Sequence, residues 1–133
     1  LGTARRYFEK EAYLEGKGII VTGPNGIGKT HIAVAMYKEL VLRNVNVVFA
    51  RPKSTGAFKD IEDYYRTLEK PEVLIYDDLG TELRKDFIID LLFKMLDVRN
   101  DHKKGLIATT NTPKVELQKW LGPRIYSRLM MKN

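Results

Sequence analysis

Gly23-Pro24-Asn25-Gly26-Ile27-Gly28-Lys29-Thr30 is the stretch whose reading decides the fold. It satisfies the pattern G-x-x-x-x-G-K-[ST] at every specified position. Upstream, Gly18-Ile19-Ile20-Val21-Thr22 predicts a short buried strand, and downstream residues 30–43 place Ile32, Ala33, Ala35, Met36 and Leu40 at helical spacing. Strand, glycine loop and helix is the order that wraps backbone N–H groups around an anion. Gly23, Gly26 and Gly28 are expected to take positive φ and turn consecutive N–H groups inward. A helix beginning at about Lys29 adds its unpaired N–H groups and the positive end of its dipole. A nucleoside triphosphate suits such a cradle, with Lys29 reaching the β- and γ-phosphates and the Thr30 hydroxyl ligating the bridging Mg²⁺. Pro24, Asn25, Ile27 and His31 complete the expected nucleotide-binding set. The alternative is an ordinary glycine-rich turn.

The 133 residues suffice for one domain with one core, and the chain opens on Leu1 rather than Met, as a piece of a longer product would. A formal net charge of +6 favours an acidic partner, nucleic acid first among them, with a solvated lysine-rich surface as the alternative. No apolar run is long enough to span a bilayer, and Arg5-Arg6 is not followed by a signal-like segment, so no membrane contact and a cytoplasmic location are expected. With no cysteine there is neither a disulfide framework nor a thiolate metal site. His31 and His102 lack the acidic neighbours that a metal site would need.

Residues 3–15 predict an amphipathic helix through Tyr7, Phe8, Ala12 and Leu14, closed by Gly16 and Gly18. Tyr7 or Phe8 lies where it would meet a nucleotide base or, alternatively, pack into the core. Residues 45–50 predict a second strand, followed by the basic, polar loop Arg51-Pro52-Lys53-Ser54-Thr55-Gly56. A helix over 58–68 stops before Pro71. Val73-Leu74-Ile75-Tyr76-Asp77-Asp78 predicts a third strand ending in two carboxylates, and residues 84–99 a helix with a broad apolar face. A fourth strand spans 105–111. Pro113 then opens a helix towards Trp120, Gly122-Pro123 interrupts it, and a last short helix spans 124–131.

Strands alternating with helices imply right-handed crossovers and a parallel sheet covered on both faces. Ligands of such sheets bind at the carboxyl ends of the strands, which puts the Gly23 loop, Asp77, Asp78 and Asn111 on one rim. An apolar strand ending in Asp-Asp downstream of a phosphate loop is the Walker B pattern. Asp77 is expected to bind Mg²⁺, directly or through water, beside Thr30, and Asp78 to polarise the water that attacks the γ-phosphate, a task given more often to Glu. A turn or helix cap is the other use of paired acids at a strand end.

Gly23 to Thr30 with His31-Ile32-Ala33, Asp77-Asp78-Leu79-Gly80-Thr81-Glu82, Thr109-Thr110-Asn111 and Arg124-Ile125-Tyr126-Ser127-Arg128-Leu129 together resemble the AAA+ ATPases of the DnaC/DnaI helicase-loader group. The transposition helper IstB shares much of the pattern. The resemblance runs from about Gly16 to Leu129. It implies a P-loop NTPase core, a three-layer α/β/α sandwich with a mainly parallel central sheet, that binds ATP with Mg²⁺ and hydrolyses it. Asn111 matches the sensor 1 residue that orients the attacking water; capping the turn before Pro113 is its other reading. Arg128 matches the arginine finger that completes a neighbour's site, with Arg124 beside it to contact either the same phosphate or the self-assembly interface. Arg99 also falls where the family carries arginine, without an assigned chemistry.

The resemblance implies an ATP-dependent loader that binds single-stranded DNA and helps place a replicative hexameric helicase. A transposition helper, a non-hydrolysing nucleotide switch and a small P-loop kinase are the alternatives. The expected DNA contacts are the Arg51-Lys53-Ser54-Thr55 loop and Arg84-Lys85. The N-terminal partner-binding domain of full-length loaders, and the strand and lid that follow the finger helix, are expected to lie outside this core.

Overall fold

The computed structural model describes residues 2–9, 11–23, 27–53, 55–81 and 86–129, the side chains of residues 2–4, 27, 124, 128 and 129 excepted. Four short apolar runs become the strands β1 (Gly18–Thr22), β2 (Val47–Ala50), β3 (Val73–Tyr76) and β4 (Gly105–Thr110). They form one parallel sheet in the order β1-β4-β3-β2. Between them run the helices α1 (Gly2–Glu9), α2 (Ile27–Leu42), α3 (Phe58–Thr67), α4 (Asp86–Asp101) and α5 (Lys114–Leu129).

Strand alternation divides the core in two. Leu74, Tyr76, Leu106 and Ala108 face α3, α4 and α5 through Ile61, Tyr65, Ile88, Leu92, Leu117 and Leu121. Val73, Ile75 and Ile107 face the other way, against Ala33, Met36 and Leu40 of α2 and Tyr7 and Tyr13 of the N-terminal segment. Adjacent residues of one strand thus serve opposite layers, which is why β3 and β4 read as unbroken apolar runs. The three-layer α/β/α sandwich expected from the sequence is the fold observed.

The element boundaries depart from the sequence reading in three informative places. The helix expected over 3–15 is broken: α1 ends at Glu9, Glu11 turns left-handed (φ 48°), and a 3₁₀ turn follows over Ala12–Glu15. The break brings Tyr13 back against Tyr7, with ring centroids 6.1 Å apart, so that both rings enter the same cluster. Gly16 closes the turn with φ 74°, and a Cβ there would lie 2.4 Å from the Lys103 carbonyl carbon. Helix α2 begins at Ile27, ahead of Lys29, so Gly28 sits inside its first turn and does not take the positive φ expected of it. Its missing Cβ leaves open space instead, with nothing within 4 Å. β3 ends at Tyr76, and Asp77 and Asp78 lie in the turn beyond it. Asp78 is left-handed (φ 69°), a conformation in which a strand cannot continue. As expected, α5 is two helices joined at a kink, with Gly122 at φ 82° and ψ 156° ahead of Pro123.

At the amino end of the sheet, Arg99 is 2 % exposed on the inner face of α4. Its guanidinium donates to the carbonyls of Leu68 (2.9 Å), Pro71 (2.8 Å), Glu72 (3.5 Å) and Gly105 (2.7 Å), tying the α3–β3 connection to the start of β4. Arg99, given no chemistry by its sequence, is a structural tie. No helix among the described residues is long and apolar enough to cross a membrane.

Candidate functional site

The strand order assembles the site. β4 lies between β1 and β3, with Thr22 beside Thr110 and Tyr76 beside Ala108. Gly23 therefore leaves the sheet on one side of β4 and Asp77 on the other, and Asn111, the residue after β4, lies between them. Asn111 is exposed on this rim. The Lys29 ammonium donates to the Gly23 carbonyl at 3.1 Å, holding the two ends of the glycine loop together. Pro24, Asn25 and Gly26, and the Ile27 side chain, lie outside the described residues.

Asp77 is the fixed point of the rim. Its backbone N–H donates to the Ala50 carbonyl at 2.9 Å, continuing the ladder with β2 by one bond. Its side chain is 1 % exposed. One carboxylate oxygen, Oδ1, accepts from the Thr109 hydroxyl at 2.5 Å; the other, Oδ2, lies 3.5 Å from the Thr30 hydroxyl. A buried carboxylate is tolerated when such donors surround it. Oδ2 and Thr30 Oγ1 are hard oxygen donors directed at the same space, a pairing suited to Mg²⁺, which takes one or two protein oxygens and keeps the remainder for water and phosphate. The residues present fit that ion.

Thr109 was missed by the sequence reading as a functional residue. The same hydroxyl that donates to Asp77 accepts the Asp78 backbone N–H at 2.9 Å, so one side chain sets the position of both acids. Asp78 itself is half-buried, and its left-handed backbone is held by the Thr81 hydroxyl donating to its carbonyl at 3.1 Å. The turn then passes Gly80 at φ 109°, where a Cβ would stand 2.7 Å from Thr112 Oγ1. The available signal for Thr109 was the first hydroxyl residue after the apolar run Leu106-Ile107-Ala108 of a buried strand, level with the first acid.

Arg51 takes a partner its sequence did not suggest. Its guanidinium pairs with Asp77 Oδ2 at 3.1 Å, although the side chain is 59 % exposed. Its backbone is pinned by the Tyr64 hydroxyl, which donates to the Arg51 carbonyl at 2.6 Å. Lys53 lies nearby with its ammonium 5.7 Å from the centre of the Tyr64 ring. Ser54, Arg84 and Lys85, the other expected DNA contacts, fall outside the described residues or, for Thr55, on the exposed loop. Arg124 and Arg128 lie on α5, their side chains outside that description.

Of the two aromatic candidates for a base, Tyr7 is fully buried and donates its hydroxyl to the Lys17 carbonyl at 2.9 Å, a core role. Burial raises its phenol well above the ordinary range, with Arg99 opposing and Tyr13 adding to the rise. Phe8 instead faces an open groove between α1 and α2 that it shares with Arg5, His31, Ile32 and Ala35. His31 is exposed there, one residue beyond Thr30.

Comparison with known proteins agrees with this architecture. Residues 11–131 match the family model described as "IstB-like ATP binding protein". The replicative helicase loader DnaC of Escherichia coli K12 is 27 % identical over 144 residues, covering 100 % of this chain and 58 % of that protein. A putative ATP-binding protein in an insertion sequence of Mycobacterium tuberculosis is 31 % identical over 105 residues, covering 72 % of this chain and 41 % of the relative. The crystal structure of the DnaC helicase loader superposes with a TM-score of 0.73 at 26 % identity, over 95 % of this chain and 80 % of the other. The chain thus spans between about one third and three fifths of the curated relatives it matches. With a phosphate-loop motif in its sequence, a buried acid and a polar strand tip on the rim of a β1-β4-β3-β2 sheet, and a family match across most of its length, the chain belongs to the IstB-like ATP-binding proteins of the AAA+ class, homologous to the DnaC helicase loader.

Proposed function

We propose that the chain is the Mg²⁺- and ATP-dependent hydrolytic core of a DNA-replication helicase loader. The observation that carries the hydrolytic part is Asp77, buried, held by Thr109 and directed with Thr30 at one space beside the phosphate loop. In this reading the N–H groups of the Gly23 loop and the start of α2 cradle the phosphates, and Lys29 leaves the Gly23 carbonyl to reach them. Bound Mg²⁺ supplies charge neutralisation across the phosphates. Asp78 accepts the proton of the attacking water, and Asn111 orients that water from the strand between the loop and the acids. Arg128 of an adjoining subunit completes the site, with Arg124 at the shared interface. Phe8 and His31 supply the groove for the base.

Single-stranded DNA is the second ligand of this reading. Phe58 and Phe87 open α3 and α4 at the same end of the sheet; they are 55 % and 39 % exposed, with ring centroids 5.5 Å apart. An exposed aromatic pair at the end of the sheet that also carries Arg51 and Lys53 suits stacked bases with phosphates alongside. The loader reading is favoured over a transposition helper by the match to DnaC across the whole chain, where the insertion-sequence relatives match over 72–86 % of it. The helper reading stands second, on the family model itself.

Phosphate release measured on the full-length protein, with and without oligonucleotide and with wild type beside Lys29→Ala, tests the hydrolytic part. Turnover is expected in wild type alone; equal turnover in both would remove the phosphate-loop assignment. Co-precipitation with a replicative helicase, against a transposase of the insertion-sequence type, separates the two partners.

A further inference from the structure

The oxygen of Asp77 that best suits a divalent cation is already engaged. Arg51 Nη2 sits 3.1 Å from Oδ2, the same atom that lies 3.5 Å from the Thr30 hydroxyl, whereas Oδ1 is committed to Thr109. A guanidinium and a Mg²⁺ ion held at contact distance on that oxygen repel each other, so each weakens the other's hold on it. The two ends of the ion pair are also unequal. Asp77 is buried and pinned at its N–H and at Oδ1, so it cannot follow a departing partner. Arg51 has a pinned backbone on a side chain that is 59 % exposed, so its guanidinium can leave for solvent at low cost while the strand end stays in place.

We propose that Arg51 is a tethered counter-cation for Asp77 in the nucleotide-free protein, and that Mg²⁺ bound with nucleotide displaces it, returning the guanidinium to the rim beside Lys53. The inference rests on the Mg²⁺–nucleotide reading of the site. Without the metal, Arg51 keeps the buried carboxylate neutralised. The displacement raises the Mg²⁺ concentration needed to load the site, because the metal must compete with a charge fixed at high local concentration. By linkage, whatever holds Arg51 away from Asp77 favours metal binding by the same factor.

Direct competition and general electrostatics predict opposite signs. Removing a nearby positive charge ordinarily weakens binding of a polyanion, whereas removing a competitor of the metal strengthens metal-dependent binding. The experiment titrates free Mg²⁺ against the full-length protein and a fluorescent, non-hydrolysable ATP analogue, with parallel samples in EDTA. Wild type, Arg51→Gln, and Lys53→Gln as the field control are compared. Arg51→Gln is expected to lower the Mg²⁺ concentration for half-maximal binding by about 1.5- to fivefold, the range set by a half-exposed ion pair. In EDTA it should gain nothing, and Lys53→Gln should show no lowering. An unchanged or higher Mg²⁺ requirement in Arg51→Gln overturns the exchange, as does an equal lowering in Lys53→Gln. Failure of wild type to bind the analogue at any Mg²⁺ concentration would be recognised separately, and would remove the nucleotide reading together with the exchange.

Discussion

Replacing Arg99 by methionine keeps an unbranched apolar stem, two atoms shorter, and removes the charge and all of the donors. Three carbonyls that now accept at 2.7 to 2.9 Å, those of Leu68, Pro71 and Gly105, would lose that partner inside the core. Leaving a buried acceptor unsatisfied costs about 1–3 kcal/mol, so the three together would cost roughly 3–9 kcal/mol. Against this stands the relief of no longer burying a guanidinium, itself several kcal/mol, which the depressed pKa of the group (pushed by burial to about 10, with Tyr7 opposing) makes evident. A net loss of about 3 kcal/mol is expected, a large share of the ~5–15 kcal/mol that holds such a domain together. At this chain length that corresponds to a melting temperature lower by roughly 10–15 °C. Urea and thermal unfolding followed by circular dichroism measure it, at a temperature where the variant is still folded. Because the four carbonyls lie at the amino end of the sheet, away from the rim, nucleotide affinity of the folded variant should stay within about twofold of wild type. A destabilisation under about 1 kcal/mol would show that Arg99 does not tie the α3–β3 connection to β4. A selective loss of nucleotide binding with unchanged stability would refute the structural assignment outright.

Asp78→Asn preserves size and backbone but removes the proton acceptor, so ATP binding should persist while turnover falls by about 10²-fold or more; surviving turnover would take the base role from Asp78. Arg128→Ala should bind ATP normally and hydrolyse it about 10³-fold more slowly, and mixing it with Asp78→Asn should restore part of the activity through mixed interfaces. A folded Arg128→Ala protein with full, concentration-independent activity would exclude a shared site. Gly80→Ala forces a Cβ into positive φ and against Thr112, and should cost about 2 kcal/mol while disturbing the acids; a neutral result would mean that the turn relaxes freely. Tyr7 keeps its proton in the folded state above the unfolded value of 10.0, so its contribution is fully present below that pH and is lost as pH climbs towards its raised folded value. Arg99, with its lowered pKa, works in the opposite sense. Tyr7→Phe should therefore flatten the fall of stability above pH 10, measured by urea unfolding, and parallel curves for the two proteins would contradict the shift.

The sheet was legible because its strands are unbroken apolar runs between helical periods, and the phosphate loop because its pattern is dense. What escaped depends on contacts between distant segments. The split of the N-terminal helix arises from Tyr13 packing beside Tyr7 and from the close approach of Gly16 to Lys103, and no local pattern in residues 3–15 announces either. The end of β3 was misjudged because the ladder bond from Asp77 to Ala50 continues past the last extended residue. Arg99 did leave a sign: it continues the Leu92, Met95 and Leu96 stripe of α4, where a charged residue must find partners inside. Arg51 left none, since its partner stands on the neighbouring strand, and a basic residue in a polar loop invites an external ligand first.

The single hydroxyl of Thr109 narrows what evolution can place at that position. Valine matches threonine in shape and favours a strand at least as well, so the fold itself would accept it. With valine there, Asp77 would lose its shortest bond and the Asp78 amide its acceptor, and a sound sheet would carry a disabled rim. Serine keeps the oxygen with less packing. In this chain, the residue level with the first acid on the central strand therefore separates two demands: valine would satisfy the fold, and only a hydroxyl holds the two acids in place.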